Sequence, residues 1–204
     1  MRIGLAGTGR MGTAIVERLV GLGHEALVWN RTPERAAAAV GHGARAVDTP
    51  KALAGECETV ISILYDAAAI ESVYDGPEGL LDGVPEGRLF VEMSTVRPQT
   101  IRALDGRVRA AGAALVECPV GGTTGPAREG KLFGLVGGAA DDVARAMPLL
   151  EALCRRVEHV GPAGSGASMK LAINLPLAIS WQALGEALAL CRSLGLSGER
   201  LADV

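Results

Sequence analysis

The chain has 204 residues, of which 49% are hydrophobic and 21% charged, with a formal net charge of -3. This composition excludes a disordered chain and supplies enough residues for one good core and a smaller second unit. With no Lys- or Arg-rich run, the sequence carries no electrostatic footprint for nucleic acid, so the expected partner is a small molecule.

Short apolar runs alternate with helix-length segments. The pattern predicts a strand at Arg2–Ala6, a helix at Arg10–Leu22, a strand at Glu25–Trp29 and a helix at Pro33–Val40. A strand at Thr59–Leu64, a helix at Ala67–Tyr74, a strand at Arg88–Glu92, a helix at Pro98–Ala111 and a strand at Ala114–Cys118 follow. A strand at Leu132–Gly137, a helix at Asp141–Cys154 and a strand at Val157–Val160 close a first domain, residues 1–162. The alternation predicts an α/β fold: a doubly wound, mostly parallel sheet with helices on both faces. From residue 163 to 204 the pattern changes to one long helix, about Ser165 to Ser193, apolar on nearly every side, which reads as the start of an all-α second domain. Pro176 removes a helix N–H there and predicts a kink.

The most apolar region, Leu171–Cys191, is interrupted by Asn174, Pro176, Gln182 and Glu186, and the N-terminus turns to glycine after a few residues. Neither a membrane span nor a signal peptide is expected, and the expected location is cytoplasmic. Cys57, Cys118, Cys154 and Cys191 form no Cys-x-x-Cys pair and read as small buried residues of a reducing compartment, with no metal site. His24, His42 and His159 neighbour no nucleophile and read as surface residues.

Gly7-Thr8-Gly9-Arg10-Met11-Gly12 follows the first strand and opens the first helix, the context that makes G-x-G-x-x-G a dinucleotide-binding loop and the sheet Rossmann-like. Gly7 permits the tight turn, Gly9 lets a pyrophosphate approach the backbone, and Gly12 allows close packing. The helix N-terminus adds free N–H groups and a partial positive charge. At the end of the second strand, where a carboxylate would accept from a free ribose 2′-hydroxyl, the chain reads Asn30-Arg31-Thr32. A guanidinium there suits a 2′-phosphate, so NADP is expected over NAD.

A second glycine-rich loop, Glu117-Cys118-Pro119-Val120-Gly121-Gly122-Thr123-Thr124, exposes N–H groups and hydroxyls that suit a small carboxylate, or is a flexible crossing. Further on, Lys170 stands alone in the apolar helix, in Ser168-Met169-Lys170-Leu171-Ala172-Ile173-Asn174. The order of these three features resembles the β-hydroxyacid dehydrogenase family, which includes 3-hydroxyisobutyrate dehydrogenase and glyoxylate and succinic-semialdehyde reductases. The resemblance implies that Lys170 is catalytic with Asn174 as its polar partner, one helical turn on and on the same face. It implies that Thr95 meets the nicotinamide end, that Ser94, Gly121, Gly122 and Thr123 border the substrate with Lys170 and Asn174, and that the backbone of Leu64 and Tyr65 meets the cofactor. It also implies an all-helical domain of which this chain holds the beginning, and the apolar helix is expected to drive self-association to a homodimer or higher oligomer. The family's serine is replaced by Gly121, and its proline after Leu64 by Tyr65.

An ammonium suits the reduction of a small aldehyde or 2-oxo acid, because it donates its proton to the forming alkoxide. Oxidation of the matching 3-hydroxy acid needs the neutral amine, and at an ordinary pKa near 10.4 only roughly one lysine in a thousand is neutral near pH 7.4. Reduction is therefore the expected direction. Two other classes stay open: an imine-reductase-like enzyme, which usually lacks this lysine, and a module that binds cofactor without turnover.

Overall fold

Nine strands join in one sheet among residues 1–203, which the computed structural model describes. The first half is built from β1 (Arg2–Ala6), α1 (Arg10–Gly21), β2 (Glu25–Trp29), a 3-10 turn at Pro33–Ala36, α2 (Ala37–Gly41) and the two-residue β3 (Arg45–Ala46). After α3 (Pro50–Glu56) come β4 (Thr59–Ser62), α4 (Ala67–Asp75), β5 (Leu89–Glu92), α5 (Pro98–Ala110) and β6 (Ala114–Glu117). β7 (Val120–Gly121), α6 (Thr124–Arg128), β8 (Leu132–Gly137), α7 (Ala140–Leu153) and β9 (Cys154–Gly161) complete the sheet and its cover. α8 (Ser165–Leu190), a 3-10 turn at Cys191–Leu194 and α9 (Gly198–Asp203) follow.

The sheet order is β3-β2-β1-β4-β5-β6-β8-β7, with β9 beside β8. The pairs from β3 to β6 are parallel. β8 runs antiparallel to β6 and β7, so the sheet is mostly parallel, as expected. β4, β5 and β6 are buried at every residue, which is why they read as continuous apolar runs and not as alternating ones. Two apolar cores lie on the two faces. One gathers Ile15, Leu19, Val91 and Leu150 from α1, β5 and α7, and the other Leu53, Tyr74, Phe90 and Leu104 from α3, α4, β5 and α5.

Strand order reverses at β1, with β2 on one side and β4 on the other, and ligands of such sheets bind outside the strand C-termini at that point. Ala6 stands level with Trp29 and Ser62, so Gly7, Asn30 and Ile63 leave the sheet side by side.

Several boundaries differ from expectation. The helix at Pro33–Val40 is a 3-10 turn followed by a short α-helix, and the strand expected at Val157–Val160 runs from Cys154 to Gly161. Thr124–Arg128, expected within a loop, is helical. α8 continues through Pro176 without a break, and Ser180 Oγ donates to the Pro176 carbonyl at 2.8 Å. By packing the chain divides into Met1–Lys170 and Leu171–Val204. In the second unit Leu175, Leu177, Ile179 and Trp181 are exposed, and Trp181 keeps 68% of its surface in water. Cys57, Cys118 and Cys154 are buried as expected, whereas Cys191 is only half-buried.

Candidate functional site

Each glycine of the first loop has its own steric reason. Gly7 has φ +103°, and a Cβ there would lie 2.3 Å from the Ile63 carbonyl oxygen. A Cβ on Gly12 would lie 2.0 Å from the Gly7 carbonyl oxygen, so this glycine closes the loop on itself as well as approaching Leu5 of β1 at 3.2 Å. Around Gly9 a Cβ would meet nothing within 4 Å. Gly9 is also the N-cap of α1 and brings no side-chain acceptor, and the first turn has no acidic residue. The first N–H groups of α1 therefore face an open approach, an arrangement that fits a pyrophosphate.

A groove of about 360 Å³ runs from this loop past the ends of β2 and β4. Its walls include Gly7, Gly9, Arg10, Met11 and Gly12, then Asn30, Arg31 and Thr32, then Leu64 and Tyr65. Thr8 is buried and donates its hydroxyl to the Arg35 carbonyl at 3.0 Å, which fixes the loop to the turn after β2. Asn30 Nδ2 donates to the Thr32 carbonyl at 2.8 Å and holds that turn closed. Arg35 also lines the groove; inside an ordinary charged helix start, nothing in the sequence pattern marks it out. Among the described residues Arg10, Arg31 and Arg35, which all line the groove, form no ion pair.

The C-terminal ends of β4, β5 and β6 carry a buried polar network. Tyr74 OH lies 2.7 Å from Ser62 Oγ, which donates to Glu92 Oε2 at 2.5 Å. Glu92 Oε1 accepts from the Ser94 N–H at 2.7 Å, and Ser94 Oγ accepts from the Leu64 N–H at 2.7 Å. Burial pushes the Glu92 carboxyl up to about 7, against the hydrogen bonds from Ser62 and Ser94. The Leu64 N–H is therefore already committed to Ser94, which leaves the other backbone groups of Leu64 and Tyr65 for any contact with a ligand in the groove that both residues line. Ser94 is 2% exposed, with its hydroxyl turned into this network, whereas Thr95 is exposed.

Glu117, level with Glu92 on the neighbouring strand, is 1% exposed. Its Oε1 accepts from the N–H groups of Gly164 and Gly166, the latter at 2.9 Å, and its Oε2 accepts from that of Ala167 at 2.9 Å. Burial raises its pKa, opposed by these three N–H groups and by the charge of Arg102. Hydrogen bonds to a charged acceptor contribute about 1.5–3 kcal/mol each, so the three reduce the several kcal/mol that burying a carboxylate costs, while burial stays the larger effect. This contact is invisible in the sequence because donor and acceptor lie 47 to 50 residues apart.

Lys170 lies in the second turn of α8, and burial lowers its pKa. Asn174 follows on the same helix, half-buried. In the second loop Gly121 pairs with Phe133 of β8, while Gly122 and Thr123 are exposed. Thr123 is the N-cap of α6 and its side chain makes no capping bond.

Residues 2–161 match the family model described as the NAD binding domain of 6-phosphogluconate dehydrogenase. Over 202 residues the chain is 36% identical to a 3-hydroxyisobutyrate dehydrogenase of Pseudomonas aeruginosa, covering 99% of this chain and 68% of that protein. It is 33% identical over 204 residues to glyoxylate/succinic semialdehyde reductase 1 of Arabidopsis thaliana, covering 100% of this chain and 71% of that one. The chain belongs to the β-hydroxyacid dehydrogenase family. The solved structure of Psf3 in complex with NADP+ and 2-OPP superposes with a TM-score of 0.89 at 31% identity, over 99% of this chain and 72% of that one. The first domain is thus the NAD(P)-binding domain of an oxidoreductase family.

Within that family the glycine at 121 is not imposed by crowding. A Cβ there would meet Phe133 at 3.7 Å, an ordinary contact, so a serine would fit and its hydroxyl is absent for another reason. Gly122, by contrast, has φ +123° and admits no Cβ without strain. Among the described residues no helix is long and apolar enough to cross a membrane.

Proposed function

We propose that this chain is an NADP-preferring oxidoreductase that reduces a small aldehyde or 2-oxo acid, with Lys170 as the proton donor. The observation that carries the reading is the partly desolvated ammonium of Lys170 at the start of α8, in a chain of this family. Gly7, Thr8, Gly9, Arg10, Met11 and Gly12 hold the pyrophosphate of the cofactor, with Leu64, Tyr65 and Thr95 toward its nicotinamide end. Asn30, Arg31 and Thr32, joined by Arg35, hold the 2′-phosphate. The bound cofactor supplies the hydride.

Lys170 supplies the proton. As charge develops on the carbonyl oxygen, the ammonium stabilises it and then transfers a proton to it, with Asn174 as a second donor. Gly121, Gly122 and Thr123 border the substrate, whereas Ser94, expected beside them, is buried with its hydroxyl taken by the Leu64 N–H and acts through that backbone. Burial moves the lysine toward the neutral form, which also raises the fraction competent to oxidise the 3-hydroxy acid, while the ammonium form serves reduction. The same reading places the chain in a reducing, cytoplasmic compartment, as a homodimer or higher oligomer.

The test is NADPH oxidation against glyoxylate, succinic semialdehyde and related small carbonyl compounds, for the wild type, Lys170→Ala and Arg31→Ala. Lys170→Ala is expected to lose at least 100-fold in kcat with unchanged NADPH affinity, and Arg31→Ala to weaken NADPH at least 10-fold more than NADH. Equal rates in the lysine variant overturn the mechanism. NADPH binding without turnover of any carbonyl by the wild type would favour a binding module.

A further inference from the structure

We propose that Glu117 is a positioning residue for Lys170, its buried carboxylate fixing the start of α8 and with it the place of the ammonium. The inference rests on the role of Lys170 given above, and it concerns how that lysine is held.

Two backbone donors of the first turn of α8, Gly166 and Ala167, and that of Gly164 just before it end on one side chain from β6. That turn has nowhere else to sit. A Cβ on Gly166 would lie 2.4 Å from the Leu135 carbonyl oxygen and 3.2 Å from Glu117 Cδ, and a Cβ on Gly137 would lie 2.2 Å from Glu117 Oε1. Glycines on α8 and β8 thus clear the space in which the carboxylate meets the helix. Gly164, with φ +93°, turns the chain so that its N–H joins the other two.

The lever from this anchor to the lysine is short. Lys170 is three residues past Ala167, about 4.5 Å along the axis at 1.5 Å per residue. Each residue turns a helix by about 100°, so a slip of one residue at the anchor would swing the ammonium to another side. A carboxylate that accepts at both oxygens admits only one register for the turn. Glu117 also opens the second loop, Cys118 to Thr123, so one side chain sets the origin of two elements that border the proposed substrate. The charge acting on it is Arg102 of α5, which favours its ionised form, and its own charge in turn raises the pKa of Glu92 on β5.

The experiment uses the full chain and two variants that strike the same contact from opposite sides, Glu117→Gln and Gly166→Ala. Acetic anhydride labelling across pH, read by mass spectrometry, follows Lys170 without any turnover. Lys51 and Lys131, which are exposed, serve as internal references. In the wild type Lys170 is expected to titrate below an ordinary lysine. In both variants its midpoint should rise by half a unit or more, while NADPH affinity stays within twofold and reductase kcat falls at least 10-fold. If hydrogen exchange at Gly166 and Ala167 accelerates in both variants but the Lys170 titration stays in place, Glu117 is a cap and nothing more, and the proposal is overturned. Activity retained in Lys170→Ala would instead sink the role of the lysine while leaving the labelling result to decide how it is held.

Discussion

At the scale of single residues the two buried glutamates show how partners decide the state of a carboxyl. Glu117 has three backbone N–H groups, whereas Glu92 relies on two serines and is pushed up to about 7 from an ordinary 4.5. Between those two pH values the unfolded chain releases a proton that folded Glu92 keeps, so this group's contribution to stability falls as pH rises through the window. Its full size is about 3 kcal/mol at 1.36 kcal/mol per pKa unit. Glu92→Gln has no such proton to lose, so its stability relative to the wild type is expected to improve by that order between pH 4.5 and 8 in urea denaturation. Denaturation midpoints that move in parallel across that range would refute the assignment. Gly7, Gly9 and Gly12 were legible from sequence because a missing Cβ is a local property. Arg35 and Glu117 were not, since one reaches the groove through a 3-10 turn and the other finds its partners only after the chain has folded back.

Secondary elements were legible in proportion to their length and burial. The strands β1, β2, β4, β5 and β6 stand out because a buried parallel strand is an unbroken apolar run between turn residues. α3 carries a helix signal in Thr49 and Pro50, and Thr49 Oγ1 accepts from the Ala52 N–H, yet the Ala- and Gly-rich sequence gives no apolar stripe. The direction of β8 has no signature either, because side chains alternate identically in parallel and antiparallel strands. α8 is the opposite case, read correctly as apolar all round. Beyond Lys170 it exposes Leu175, Leu177, Ile179 and Trp181, a surface that water disfavours. Burial of these side chains against a second copy is the expected outcome, and multi-angle light scattering should return at least a dimer at micromolar concentration. A monomer there, or an unchanged mass for Leu177→Glu with Trp181→Glu, would count against it.

For the molecule as a whole, the reversal of strand order at β1 explains why one groove gathers residues from positions 7 to 12, 30 to 35 and 64 to 65. The sheet delivers these segments to one edge; the glycine loop and Asn30-Arg31-Thr32 were readable from spacing, Leu64 and Tyr65 only through the family resemblance, and Arg35 not at all. The proposed substrate half draws on the far end of the first unit, where β6 meets the start of α8. Glu117 pairs through β6 with β5, a strand close behind it in sequence, whereas its acceptors are filled by residues 164 to 167. The entropy of a distant contact is recovered only once local ones are in place, so the expected order is that this longer loop closes after the parallel strands have associated, with the contacts of Glu117 formed after the rate-limiting step. In stopped-flow kinetics Glu117→Gln should then speed unfolding at least fivefold and leave the folding rate within twofold, whereas a slower folding limb would place the closure in the nucleus. The clamp that orients the lysine would be, in time, the latch that closes the fold.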